Sequence, residues 1–242
     1  MISPRERLIV ALDVSSSAEV QKIISNLGDS VEIYKIGMQL YTAEGPQVVR
    51  DLISSGKKVF LDLKYHDIPN TVAAAVREAT QLGVSMLTVH ASGGMKMLQS
   101  ATEAARASRS VPNVLAVTLL TSMDEQDLNL IGVPGSVEHH VVWLACLALK
   151  AGCNGVVSSA REVKTLRASL GGEFLAVTPG VRPAGTAYGD QARVVTPAEA
   201  IAAGATHIVV GRPITAAPNP VAVVESLLRE MENSEVEVGR AK

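Results

Sequence analysis

KVFLDLK at 58–64, followed after a short loop by NTVAAAVREATQL at 70–82, is the stretch on which the fold turns. The first run is short and apolar apart from its charges, as in a strand. The second is long, rich in Ala, Glu and Gln, and carries apolar residues at helical spacing. The same unit recurs outward in both directions. Strand-like runs occur at 8–13 (LIVALD), 32–37 (EIYKIG), 86–90 (MLTVH), 114–120 (VLAVTLL), 155–159 (GVVSS), 174–179 (FLAVTP) and 207–211 (HIVVG), which with 58–64 makes eight. Helix-like stretches such as SSAEVQKIISNL at 16–27 and AREVKTLRASL at 160–170 separate them, and Gly28, Gly56, Gly83, Gly152 and Gly204 fall where such helices end. Eight strands alternating with helices, without a composition break, predict an α/β protein: a single (β/α)8 TIM barrel domain over 1–242. An open doubly wound sheet is the alternative. Against it, neither G-x-G-x-x-G nor G-x-x-x-x-G-K-[ST] follows the first strand. Only the tail ENSEVEVGRAK at 232–242 reads as poorly ordered.

Composition narrows the classes of function. The formal net charge is −2 and aromatic content is 3%, with no basic stripe, so neither nucleic acid nor an anionic membrane is an expected partner. The longest apolar run, 141–149, falls short of the roughly 20 residues that span a bilayer. MISPRERLIVALDV at the start reads as a first strand rather than a signal peptide, because Asp13 ends the apolar run early. The chain is therefore expected to be soluble and cytoplasmic. Cys146 and Cys153 lack metal-ligand spacing and read as buried free thiols, the five histidines lack a metal-binding pattern, and Trp143 is expected to pack in the core.

Charges fall at strand ends: Asp13 on the first, Lys35 on the second, Asp62 and Lys64 on the third. In a barrel these ends form one rim, where the βα loops carry chemistry. Asp62 and Lys64 are two apart on a strand, which points both toward the interior. Buried charges must be paired, so Lys35, Asp62 and Lys64 are expected to alternate in sign, with Asp67 following in the loop. A purely structural ion-pair network is the bland alternative. Late in the chain, GVRPAGTAYGDQAR at 180–193 reads as a mobile loop after the seventh strand, and VVGRP at 209–213 ends the eighth. Loops in those two places commonly bind phosphate; Gly211 permits close backbone approach and Arg212 offers a forked cation.

D-L-K-Y-H-D-I-P-N-T at 62–71 resembles the D-x-K-x-x-D-I-P-x-T signature of the orotidine 5′-monophosphate decarboxylase family. The resemblance extends through ALD at 11–13, YKIG at 34–37, VHASGG at 89–94, LLTS at 119–122, TPGVRP at 178–183 and VVGRPI at 209–214. It implies cofactor-free decarboxylation of orotidine 5′-monophosphate to uridine 5′-monophosphate, with no metal. By the same resemblance Lys64 is the proton donor to C6 and Asp62 sits near the substrate carboxylate. Lys35 holds the aspartates and reaches a ribose hydroxyl, while Asp13 accepts from the ribose. Thr121 and Ser122 meet the pyrimidine, and Arg182, Gln191, Gly211 and Arg212 surround the phosphate. Asp67 and Thr71 reach a neighbouring subunit's site, so a homodimer is implied. Two alternatives are a 3-keto-L-gulonate 6-phosphate decarboxylase, which has a similar D-x-K-x-x-D core and uses magnesium, and a barrel that only binds a phosphorylated ligand. The I-P-N-T continuation and the TPGVRP loop argue against the first, and the intact lysines and aspartates against the second.

Overall fold

The computed structural model describes residues 2–183 and 195–240. Eight parallel strands close into a barrel in chain order: β1 (Leu8–Ala11), β2 (Ile33–Gly37), β3 (Lys58–Tyr65), β4 (Met86–His90), β5 (Asn113–Val117), β6 (Gly155–Val157), β7 (Leu175–Thr178) and β8 (His207–Val210), with β8 pairing back onto β1. The predicted (β/α)8 barrel is thus the fold.

Helices fill the connections. Before and between the first three strands lie α1 (Pro4–Arg7), α2 (Ser17–Leu27), α3 (Met38–Glu44) and α4 (Gln47–Ser54), and α5 (Pro69–Gln81) and α6 (Gly94–Arg106) follow β3 and β4. Then come α7 (Glu125–Leu130) and α8 (Val137–Lys150) after β5, and α9 (Ala160–Leu170) after β6. The rest are α10 (Pro197–Ala202), α11 (Arg212–Thr215) and α12 (Pro220–Arg240). Local chemistry sets their ends: Ser16 caps α2 by accepting from Glu19 N–H, and Thr196 and Glu199 form a capping box on α10. Gly204 leaves α10 with φ of 100°, a turn open to a residue without a Cβ.

Strand alternation divides the core in two. Inward residues Ile9, Ala11, Ile33, Phe60, Met86, Leu115, Val177 and Val209 fill the barrel, while Val10, Tyr34, Ile36, Leu61, Leu87, Val89, Ile208 and Val210 face the helices. The inner set closes the barrel below the rim, so polar groups at the rim stand on an apolar floor.

Two sequence expectations are corrected. Trp143 is 61% exposed, because α8 buries Val141, Leu144, Ala145 and Ala148, and position 143 lies off that stripe. Cys153 is buried, and burial pushes its thiol up to about 12, but Cys146 is only partly covered. Of the tail expected at 232–242, residues 232–240 belong to α12 and 241–242 lie outside the described residues. That helix is anchored by buried Met231 and by Ser234, whose hydroxyl donates to Ala198 O at 3.1 Å. A short helix, α1, also precedes the first strand. Among the described residues, no helix is long and apolar enough to cross a membrane.

Candidate active site

Lys35, from the middle of β2, and Asp62, from β3, are largely buried, whereas the Asp13 carboxylate just past β1 is more than half exposed. Lys35 Nζ stands 3.1 Å from Asp13 Oδ1 and 3.8 Å from Asp62 Oδ2. Lys64 Nζ lies 2.9 Å from each Asp62 oxygen. Asp13, Lys35, Asp62 and Lys64 therefore alternate in sign across three adjacent strands, and each charge offsets its neighbour's desolvation. Gly37 makes room for this chain, since a Cβ there would sit 3.1 Å from Lys35 Nζ.

Asp67 does not extend the chain. Residues 66–68 have left the rim and are exposed, the Asp67 carboxylate accepts from Ile68 N–H, and it joins no ion pair among the described residues. Thr71 is likewise exposed, on the first turn of α5.

Asp62 and Lys64 do converge, but not by simple alternation. Leu61 pairs with Leu87 and Tyr65 with Val89, so four steps along β3 (61 to 65) run against two along β4 (87 to 89). The bulge absorbs the excess at 62–64, and Lys64 adopts a φ of 52°, alone among the described non-glycine residues in being positive. Such strain persists only where neighbours over-determine it, and it concentrates at functional sites. Here Lys64 N–H donates to Thr88 Oγ1 at 2.8 Å, and that hydroxyl donates to Asp62 Oδ1 at 3.0 Å. Sequence reasoning missed Thr88. Its signal was a polar residue at the inward position of MLTVH, two after the inner-core Met86.

Two histidines flank the bulge. His66 and His90 stack with ring centroids 5.3 Å apart, and Ser92 Oγ lies 2.7 Å from His90 Nδ1. Burial, then the neighbouring His66 and Lys64, hold His90 below its ordinary value, which favours a neutral ring beside the ammonium. Gly93 permits the packing around this pair, because a Cβ there would collide with Met97 Sδ and sit 3.3 Å from His66 Cδ2.

A cavity of about 230 Å³ opens over the charge chain. Asp13, Lys35, Asp62 and Lys64 line one side; Val117, Leu119, Leu120, Thr121 and Val157 supply a mostly apolar wall opposite. Gly180 and Gly211 complete it from β7 and β8. Of the expected ligand-binding residues, Asp13, Lys35, Thr121 and Gly211 are thus brought together. Ser122 is exposed one residue past the lining, Arg182 follows the Val181–Val195 bridge, and Arg212 opens α11 on the exposed side of Gly211. Gln191 and most of the expected 180–193 loop lie outside the described residues.

A closed barrel whose rim carries two ammonium groups interleaved with two carboxylates, beside a small apolar-walled cavity, defines a barrel enzyme that acts on charge inside a compact ligand. The chain belongs to the orotidine 5′-phosphate decarboxylase / HUMPS family, whose model matches residues 6–227. Among curated relatives, the orotidine 5′-phosphate decarboxylase of Moorella thermoacetica is 49% identical over 234 residues, covering 94% of this chain and 93% of the relative. That of Geobacter sulfurreducens is 50% identical over 230 residues, covering 94% and 96%. The crystal structure of orotidine 5′-phosphate decarboxylase from Lactobacillus acidophilus superposes with a TM-score of 0.83 at 41% identity, over 93% of this chain and 98% of that one.

Proposed function

We propose that this chain converts orotidine 5′-monophosphate to uridine 5′-monophosphate and carbon dioxide, the last step of de novo pyrimidine synthesis, without metal or organic cofactor. The observation that carries the reading is the Lys64 ammonium held 2.9 Å from both Asp62 oxygens at the edge of the cavity. When the bond from C6 to the carboxylate breaks, the electron pair stays on C6. Lys64 stabilises that charge and delivers its proton to C6, so carbon dioxide leaves and a C–H bond replaces the C–C bond. A preorganised cation aimed at developing charge in a site walled from water is the strongest lever a protein has for such a step. Asp62 sits against the substrate carboxylate, a like-charge contact that is relieved as carbon dioxide departs.

Lys35 holds Asp13 and Asp62 in place and meets the ribose, with Asp13 accepting from a ribose hydroxyl. Thr121 and Ser122 bind the pyrimidine edge. Arg182, Gln191, Gly211 and Arg212 surround the phosphate, whose remote binding energy then serves the reaction at the base. The exposure of Asp67 and Thr71 supports a homodimer in which each subunit lends them to its partner's site. The test is the ultraviolet absorbance of orotidine 5′-monophosphate mixed with chelator-treated protein, wild type against Lys64→Ala. Chelator-resistant loss of substrate absorbance, abolished by the substitution, is expected. A wild type that leaves the substrate unchanged, or that works only with added magnesium, overturns the reading.

A further inference from the structure

We infer that Thr88 is a positioning residue for the Asp62 and Lys64 pair, an inference that rests on the decarboxylase reading above. The argument begins with a backbone problem. The bulge on β3 takes Lys64 N–H out of the regular ladder with β4, in a strand where every buried donor needs an acceptor. Thr88 Oγ1 supplies it at 2.8 Å. A hydroxyl has one hydrogen and two lone pairs, so while it accepts from Lys64 N–H it can donate only once, and it does so to Asp62 Oδ1 at 3.0 Å.

The result is a closed circuit: Lys64 N–H to Thr88, Thr88 to the Asp62 carboxylate, and Lys64 Nζ back to that carboxylate at 2.9 Å. One side chain therefore fixes both the left-handed backbone from which the lysine springs and the rotamer of the aspartate it pairs with. Thr88 is fully buried, so solvent does not stand in for its hydroxyl. Neither Lys35, 3.8 Å from Asp62, nor Asp13 touches the Lys64 backbone, so neither duplicates this function. The residue type matters as well. A valine would match the shape of threonine but would neither accept nor donate, leaving Lys64 N–H orphaned. A serine would keep both hydrogen bonds.

The consequence is catalytic rather than a matter of affinity. Thr88 bonds Asp62 and Lys64 and stands on β4, across the closed barrel from the β8 end that carries Gly211 and Arg212, so its loss moves the proton donor and spares phosphate binding. Misplacing a catalytic group by about 1 Å costs on the order of a hundredfold in rate. Thr88→Val is expected to lower kcat roughly thirty- to a hundredfold with KM within about threefold of wild type, and Thr88→Ser to recover most of the rate. Hydrogen–deuterium exchange over the peptide containing Lys64 gives a readout that needs no substrate. Faster exchange there in the valine variant, and wild-type protection in the serine variant, are expected.

Unchanged kcat in a folded Thr88→Val protein would overturn the inference. So would a rise in KM alone, or a serine variant as slow as the valine one, which would assign the effect to the lost methyl group. Should the wild type fail to consume orotidine 5′-monophosphate, the functional reading falls by itself. Exchange at Lys64 then still decides whether Thr88 holds the bulge, with wild-type protection in the valine variant refuting it.

Discussion

Acidifying the protein between about pH 7.5 and pH 5 is expected to cost it stability through one buried histidine at the end of the barrel opposite the active site. His207 begins β8 on the inward side, is 7% exposed, and places Nδ1 3.0 Å from Thr206 Oγ1. That hydroxyl donates to Ala176 O and accepts from Ala176 N–H, so it accepts from His207 as well, which puts the imidazole proton on Nδ1. A second proton would charge a buried ring that forms no ion pair among the described residues. Burial first, then the charge of Arg7, depress its pKa from 6.5 to about 4, with Glu6 opposing weakly. Because the folded value lies below the unfolded one, the stability at stake is complete above the unfolded pKa and is lost as pH falls toward 4. The full difference is worth about 3 kcal/mol, of which about 2 kcal/mol is already lost near pH 5. Urea unfolding at fixed protein concentration measures it, comparing wild type with His207→Gln, which keeps a donor for Thr206 and does not titrate. The wild type should lose about 2 kcal/mol more than the variant between the two pH values. Equal losses in both proteins would refute the assignment of a buried neutral ring.

Two further substitutions test other parts of the structure. Arg167→Leu removes hydrogen bonds to Gly204 O at 3.0 and 3.1 Å and to Phe174 O at 3.0 Å, together with the cation stacked 4.1 Å over the Phe174 ring. Thermal unfolding should therefore report a loss of about 2–4 kcal/mol with kcat unchanged. Gly37→Ala brings a methyl to 3.1 Å from Lys35 Nζ and shifts that ammonium by a few tenths of an ångström against Asp13 and Asp62, so steady-state assays should show kcat/KM lower by roughly threefold while the melting temperature holds.

How much of this was legible in the sequence depended on whether a signal was periodic or positional. The strands were legible because each is short, apolar and followed by a helix, although the fifth, read at 114–120, runs over Asn113–Val117. The charge cluster was legible because Asp13, Lys35, Asp62 and Lys64 fall within or just after three consecutive strand runs, which closure of the barrel sets side by side. Trp143 was misread because an all-apolar run such as 141–149 hides which helical face is buried, and only packing against β6, α6 and α9 decides it. Asp67 was drawn into the network because chain proximity suggested it, yet the turn into α5 carries residues 66–68 outward.

The third strand shows why the remainder was out of reach. Two-residue periodicity predicts that Asp62 and Lys64 share a face, and their side chains do meet, but the strand is not regular between them. Lys64 reaches its partner from a left-handed backbone, a conformation that neither lysine's propensity nor the spacing announces. What stabilises it is a hydroxyl 24 residues later in the chain, on a neighbouring strand whose offset becomes known only once the barrel has closed. Local propensity and local geometry therefore disagree at the one position where the proposed chemistry happens, and a tertiary hydrogen bond resolves the disagreement. A sequence designed only for stability would have kept β3 regular there, so the conflict is itself an argument that residues 62–64 are arranged for function.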